Sequence, residues 1–94
     1  MVQAWYNAYF GTGKVTFLDD TQKEDMLQVE YPNGFLMDVG WYQDRYIIFI
    51  LQNFDWEHPV KQYETTDRRQ LPNLLTEAVR SVEQASQNVG LRKS

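Results

Sequence analysis

With 94 residues, a formal net charge of −4, 43% hydrophobic side chains and no cysteine, the chain has room for one apolar core and one domain, 1–94. The absent cysteines exclude disulfides, thiolate zinc sites and cysteine nucleophiles. The longest apolar run, Tyr46 to Leu51, is too short to span a bilayer, and the N-terminus lacks a basic stretch followed by an apolar core, so the expectation is a soluble, cytoplasmic protein with no membrane partner.

Charge is unevenly spread. Residues 19–64 carry ten acids against three bases, whereas residues 65–94 carry five bases against three acids. An acidic centre opposes a phosphate backbone and suits a basic protein partner, or it keeps a small domain dispersed. Three Trp, six Tyr and five Phe are more aromatic surface than so small a core hides, so some face a partner or serve simply as β-formers.

In chain order, Val2 to Phe10 alternates imperfectly and predicts a first strand over about 2–10. Gly11-Thr12-Gly13 predicts a tight reversal into a second strand, 14–18. Gly-Thr-Gly-Lys has neither the spacing of a phosphate loop nor a helix directly behind it. Asp19 to Asp25 reads as a polar loop. Its carboxylates, Asp19, Asp20, Glu24 and Asp25, lack the alternating pattern of a calcium loop, so no metal is expected, but they can meet arginines on a partner.

Met26 to Tyr31 predicts a half-buried strand, and Pro32-Asn33-Gly34 is the sharpest hairpin signal in the chain. The next strand, 35–42, places Phe35, Met37, Val39 and Trp41 on one face and Leu36, Asp38, Gly40 and Tyr42 on the other. A carboxylate there is costly to bury unless paired, so Asp38 opens to solvent, bonds a neighbouring Tyr or belongs to a recognition face. Gly40 admits a bulge or the close approach of another backbone. Gln43-Asp44-Arg45 then turns into the central strand, 46–54, apolar at nearly every position from Tyr46 to Leu51 as in a strand covered on both faces.

The loop Asn53 to Pro59 packs two aromatics, two acids and the single His together. Trp supplies contact area and acids supply direction, or else the Trp folds back over the sheet edge. His58 has no Ser or Cys motif and no second His beside it, so no catalytic role is expected. Val60 to Thr65 predicts an edge strand, 60–65. Thr66-Asp67 offers N-cap chemistry to an amphipathic helix over 71–89, with Leu74, Leu75, Ala78, Val79, Val82, Ala85 and Val89 on its apolar stripe. Gly90 is expected to end it before a basic tail.

The run FLMDVGWY, a further strand, FDWEHPVKQYETTD and a final amphipathic helix, together residues 35–88, resemble in layout the small immunity proteins of bacterial toxin systems, including those of contact-dependent growth inhibition. The resemblance implies a cytoplasmic antidote that binds its cognate toxin, often a nuclease, and performs no chemistry. It transfers no specific residues.

The expected fold is therefore α+β: a single antiparallel sheet of five to six strands, mostly a meander, with one C-terminal helix on one face and the other face uncovered. The expected function is a non-enzymatic inhibitor, without cofactor, that binds a basic protein and not nucleic acid. Asp38, Tyr42, Asp44, Asp55, Trp56 and Glu57 form the expected partner surface, with Asp19, Asp20, Glu24 and Asp25 as a second acidic patch. Trp56 is the expected anchor. The rivals are a small-ligand-binding domain or enzyme and a structural homo-oligomer; the inhibitor itself is expected as a monomer or weak homodimer.

Overall fold

The computed structural model describes residues 4–21 and 24–91. It contains one open antiparallel sheet in which each strand pairs with its sequence neighbour: β1 (Lys14–Leu18), β2 (Leu27–Glu30), β3 (Phe35–Tyr42), β4 (Arg45–Gln52) and β5 (Lys61–Thr65). A 3-10 turn, Arg68–Gln70, leads into helix α1 (Leu71–Leu91). The α+β class, the meander and the single C-terminal helix agree with the sequence reading. No helix among the described residues is long and apolar enough to cross a membrane.

Local chemistry explains the joints. Gly34 takes φ +81°, Tyr31 and Phe35 bond across the turn (2.9 Å), and β2 passes directly into β3. Gln43 and Asp44 both adopt left-handed φ, 51° and 67°, giving the two-residue hairpin whose twist matches that of the strands. At the helix start the Asp67 carboxylate accepts from the Arg69 backbone N–H (2.9 Å) and from its guanidinium (3.1 Å), which holds that carboxyl below its ordinary range.

The core lies between the sheet and α1. Leu27, Val29, Phe35, Met37, Val39, Tyr46, Ile48 and Ile50 project from one face of the sheet and meet Leu71, Leu75, Ala78, Val79 and Val82 of the helix. These are the stripe positions that the helical spacing singles out. Tyr63 of β5 adds a polar tie, its hydroxyl 2.7 Å from Ser81 Oγ.

Three expectations about elements need correction. Residues 4–10 form turns and irregular chain, not a strand; Val2 and Gln3 lie outside the described residues. A strand sends adjacent side chains to opposite faces, but Trp5 is buried in the core while Tyr6, Ala8 and Phe10 pack against that same core. The Trp5 indole N–H also donates to Asp20 (2.7 Å), fixing it in place. β4 ends at Gln52 because Asn53 and Phe54 turn left-handed (φ 56° and 60°) and the Asn53 N–H donates to the Gly34 carbonyl (2.8 Å). The helix continues through Gly90 to Leu91, since a glycine without a left-handed φ does not terminate a helix. The side chain of Val89 and the tail from Arg92 lie outside the described residues.

Gly40 is a close-approach glycine. A Cβ there meets the carbonyl oxygen of Glu24 at 1.9 Å, because the β1–β2 connection runs against the sheet face at this point and Met26 N–H bonds the Val39 carbonyl (2.8 Å). We expect Gly40→Ala to cost about 1–3 kcal/mol, the usual penalty of overpacking. Urea unfolding reads this as a lower midpoint at unchanged slope; an unchanged midpoint would mean that residues 24–26 step back freely.

Candidate functional site

The face of the sheet opposite α1 is built on one cross-strand row. Phe17, Gln28, Asp38, Phe49 and Gln62 stand in register from β1 to β5. A bulge between Val15 and Phe17 brings Phe17 into that row: without it Thr16 stands opposite Gln28 and Phe17 falls on the helix side. Tyr42, Gly40 and Ile47 flank the row on one side, Leu36 and Leu51 on the other.

This face is less open than the expected bare layer. Leu36, Asp38, Ile47 and Leu51 are all buried. Two connections reach back over it: residues 24–26 cross at Gly40, and the β4–β5 connection sets Trp56 edge-on against Phe49 (5.7 Å between ring centres). Phe49 is in turn edge-on to Tyr42 (5.8 Å). A continuous aromatic strip, Tyr42–Phe49–Trp56, thus runs across β3 and β4, with Trp56 46% exposed at its outer end.

Asp38 lies at the foot of the strip. Its carboxylate is fully buried and accepts from Gln28 Nε2 (3.0 Å) and the Tyr42 hydroxyl (3.3 Å). Neither partner carries charge. Burial therefore dominates and pushes the Asp38 carboxyl up to about 6, with the nearby Asp25 adding to the rise and the two hydrogen bonds opposing it. Burial also raises the Tyr42 phenol, as do the carboxylates of Asp38, Asp25 and Glu24. Asp25 and Glu24, with Phe17 and Asp19, line an adjoining depression of about 410 Å³. Among the described residues Glu24, Asp25 and Asp38 form no ion pair. Arg45, on β4, is engaged by Glu64 (2.7 Å).

The structure sorts the expected surface residues. It gathers Asp38, Tyr42, Glu24 and Asp25, with Asp19 on the depression and Trp56 joined through Phe49. Asp20 is instead structural, accepting from Trp5 and paired with Arg68. Asp55 organises its own loop: Oδ1 accepts from the Glu57 N–H (3.2 Å) and Oδ2 lies 3.3 Å from His58 Nδ1. Glu57 is exposed in that loop, and Asp44 is a turn residue at the end of the β3–β4 hairpin. Phe49, Phe17 and Gln28 are the site residues that the sequence reading passed over. The signal for Phe49 is its register: a two-residue turn at 43–44 pairs Asp38 with Phe49, whereas a three-residue turn puts Ile50 there.

A second depression of about 370 Å³, between the N-terminal segment and α1, is lined by Asn7, Tyr9, Thr76, Arg80 and Glu83 among others. It holds charges of both signs and no buried polar group. Among the described residues no group of three or more His, Cys, Asp or Glu side chains is placed to hold a metal ion.

Because Asp38 holds its proton more tightly in the folded protein than in the unfolded chain, its stabilising contribution is complete below about pH 3.8 and is lost as pH rises through about 6. A two-unit rise corresponds to ~2–3 kcal/mol. We expect Asp38→Asn to remove that part of the pH dependence, so that the two proteins' unfolding free energies converge toward acid and separate by pH 7.5 in favour of the variant. Parallel profiles would refute the burial cost. No family model, curated protein or solved structure matches the chain.

Proposed function

We propose that this chain is a non-enzymatic protein-binding inhibitor, acting in the cytoplasm as the immunity partner of a basic bacterial toxin such as a nuclease. The observation that carries the reading is the pairing of the Tyr42–Phe49–Trp56 strip with the carboxylates of Glu24, Asp25 and Asp38, none of which has a cationic partner among the described residues. An exposed indole held edge-on against Phe49 of the sheet offers contact area, and acids beside it without an ion pair among the described residues steer and orient a basic surface. A partner's guanidinium or ammonium group at the Glu24–Asp25 depression supplies a counter-charge to these two carboxylates, which have no ion pair among the described residues. Retaining a buried carboxylate without a cation costs stability, which is the familiar pattern of a surface kept for binding.

The test is co-purification of the tagged chain from its native host, together with co-expression of the neighbouring genes. The expected outcome is one basic protein, toxic when expressed alone and harmless with this chain present. Trp56→Ala combined with Asp25→Lys should weaken that complex at least tenfold, about 1.4 kcal/mol, with an unchanged melting curve. Full affinity in the double variant would remove the face from consideration, and a partner that is not basic would remove the inhibitor reading.

A further inference from the structure

We infer that β1 is a contact for a second copy of this chain, formed by antiparallel pairing of the two β1 edges about a two-fold axis. The inference does not rest on the proposed function, shares Phe17 with the face opposite α1, and rests on how the two edges of the sheet differ. At one edge, β5 carries Lys61, Gln62 and Glu64, exposed polar residues of the kind that protect an edge from strand addition. At the other, all five residues of β1 are exposed and three are large and apolar: Val15 (42%), Phe17 (40%) and Leu18 (45%).

Those three side chains do not share a face. Val15 and Leu18 stand opposite the buried Val29 and Leu27, on the helix side, while Phe17 lies opposite Gln28 on the other. α1 packs its backbone most closely on β4 and β5 and reaches the chain before β1 through Glu83, which accepts from the Thr12 hydroxyl (3.0 Å), yet Val15 and Leu18 stay exposed on the helix side. A strand with apolar groups above and below its free edge is covered in one move by another strand continuing the sheet.

Charge selects the occupant. β1 begins with Lys14 and is followed directly by Asp19 and Asp20, an end that keeps a net negative charge with Arg68 on Asp20 counted. In an antiparallel pair of identical strands each Lys14 reaches the 18–20 end of the other copy, whether the axis passes through Thr16, through Phe17 or between them. A parallel copy sets Lys14 beside Lys14. The same antiparallel arrangement brings the apolar side chains of β1 up to those of the other copy, and every contact off the axis is made twice, as an isologous contact requires. The bulge before Phe17 shortens the regular ladder, so the association is concentration dependent and not obligate.

Sedimentation equilibrium of the full chain over about 1 to 500 µM brackets a micromolar contact. The average mass is expected to climb from 11.2 kDa toward twice that value. Phe17→Lys should stay at the monomer mass with an unchanged melting curve, Lys14→Glu should weaken association several-fold, and Trp56→Ala should leave it untouched. The cysteine-free chain allows a geometric check: Thr16→Cys and Phe17→Cys, made singly, each put a thiol on the axis in one register, so at least one of them should form a disulfide dimer on mild oxidation and Gln62→Cys, on β5, should not. A monomer mass throughout, as when a different protein's strand covers β1, overturns the inference. So does equal cross-linking from both edges.

Discussion

The pairing of β3 with β4 is the constraint on which the rest of the structure depends. Eight residues of each strand are matched, from Phe35 against Gln52 to Tyr42 against Arg45, and the hairpin is closed by only Gln43 and Asp44. Side chains alternate along a strand, so this turn decides the face of every residue in the centre of the sheet. It sends Met37, Val39, Ile48 and Ile50 toward the helix. It sends Asp38, Phe49 and Leu51 the other way. A turn one residue longer slides β4 past β3 and sets Ile50, not Phe49, beside Asp38.

The face opposite the helix then acquires its character from two connections. The β1–β2 connection comes close enough at Gly40 that no side chain fits, and it carries Glu24 and Asp25 with it. The β4–β5 connection returns Trp56 onto Phe49. Together they explain how a sheet with a helix on one side only still buries Leu36, Asp38, Ile47 and Leu51 on the other. They also bring negative charge to a region beside which Arg45 is already engaged by Glu64 and Arg68 by Asp20. The buried Asp38 carboxylate has uncharged donors only, so the molecule sustains a desolvation cost there that an apolar residue avoids.

The sheet is asymmetric from edge to edge as well as from face to face. The helix and β5 make one end well packed, tied by Tyr63 to Ser81 and bounded by polar side chains. At the other end the N-terminal segment contributes Trp5 to the core and anchors it on Asp20, which Arg68 also engages. That end is closed around β2, while β1 stays exposed along its whole length. The acidic, aromatic face and the apolar edge are therefore separate surfaces of one sheet, meeting only at Phe17.

By itself the sequence determined the features that depend on short-range chemistry and on periodicity. Pro32-Asn33-Gly34 specifies its hairpin, the alternation of Phe35 to Tyr42 specifies both faces of β3, and the spacing from Leu71 to Ala85 specifies the helix and its buried stripe. Asp38 and Tyr42 were legible as neighbours on one face, and Gly40 as a site of close approach, because those conclusions need only one strand. Only the tertiary structure decided which acids are committed elsewhere, as Asp20 is to Trp5 and Arg68 and Asp55 is to its own loop. It alone decided that residues 4–10 spend their aromatics on the core instead of pairing as a strand, and that Phe49 joins Tyr42 to Trp56. The reason is common to all of these: alternation and capping are properties of neighbouring residues, whereas register, a backbone crossing a sheet and the partner of a charge are set between segments far apart in the chain.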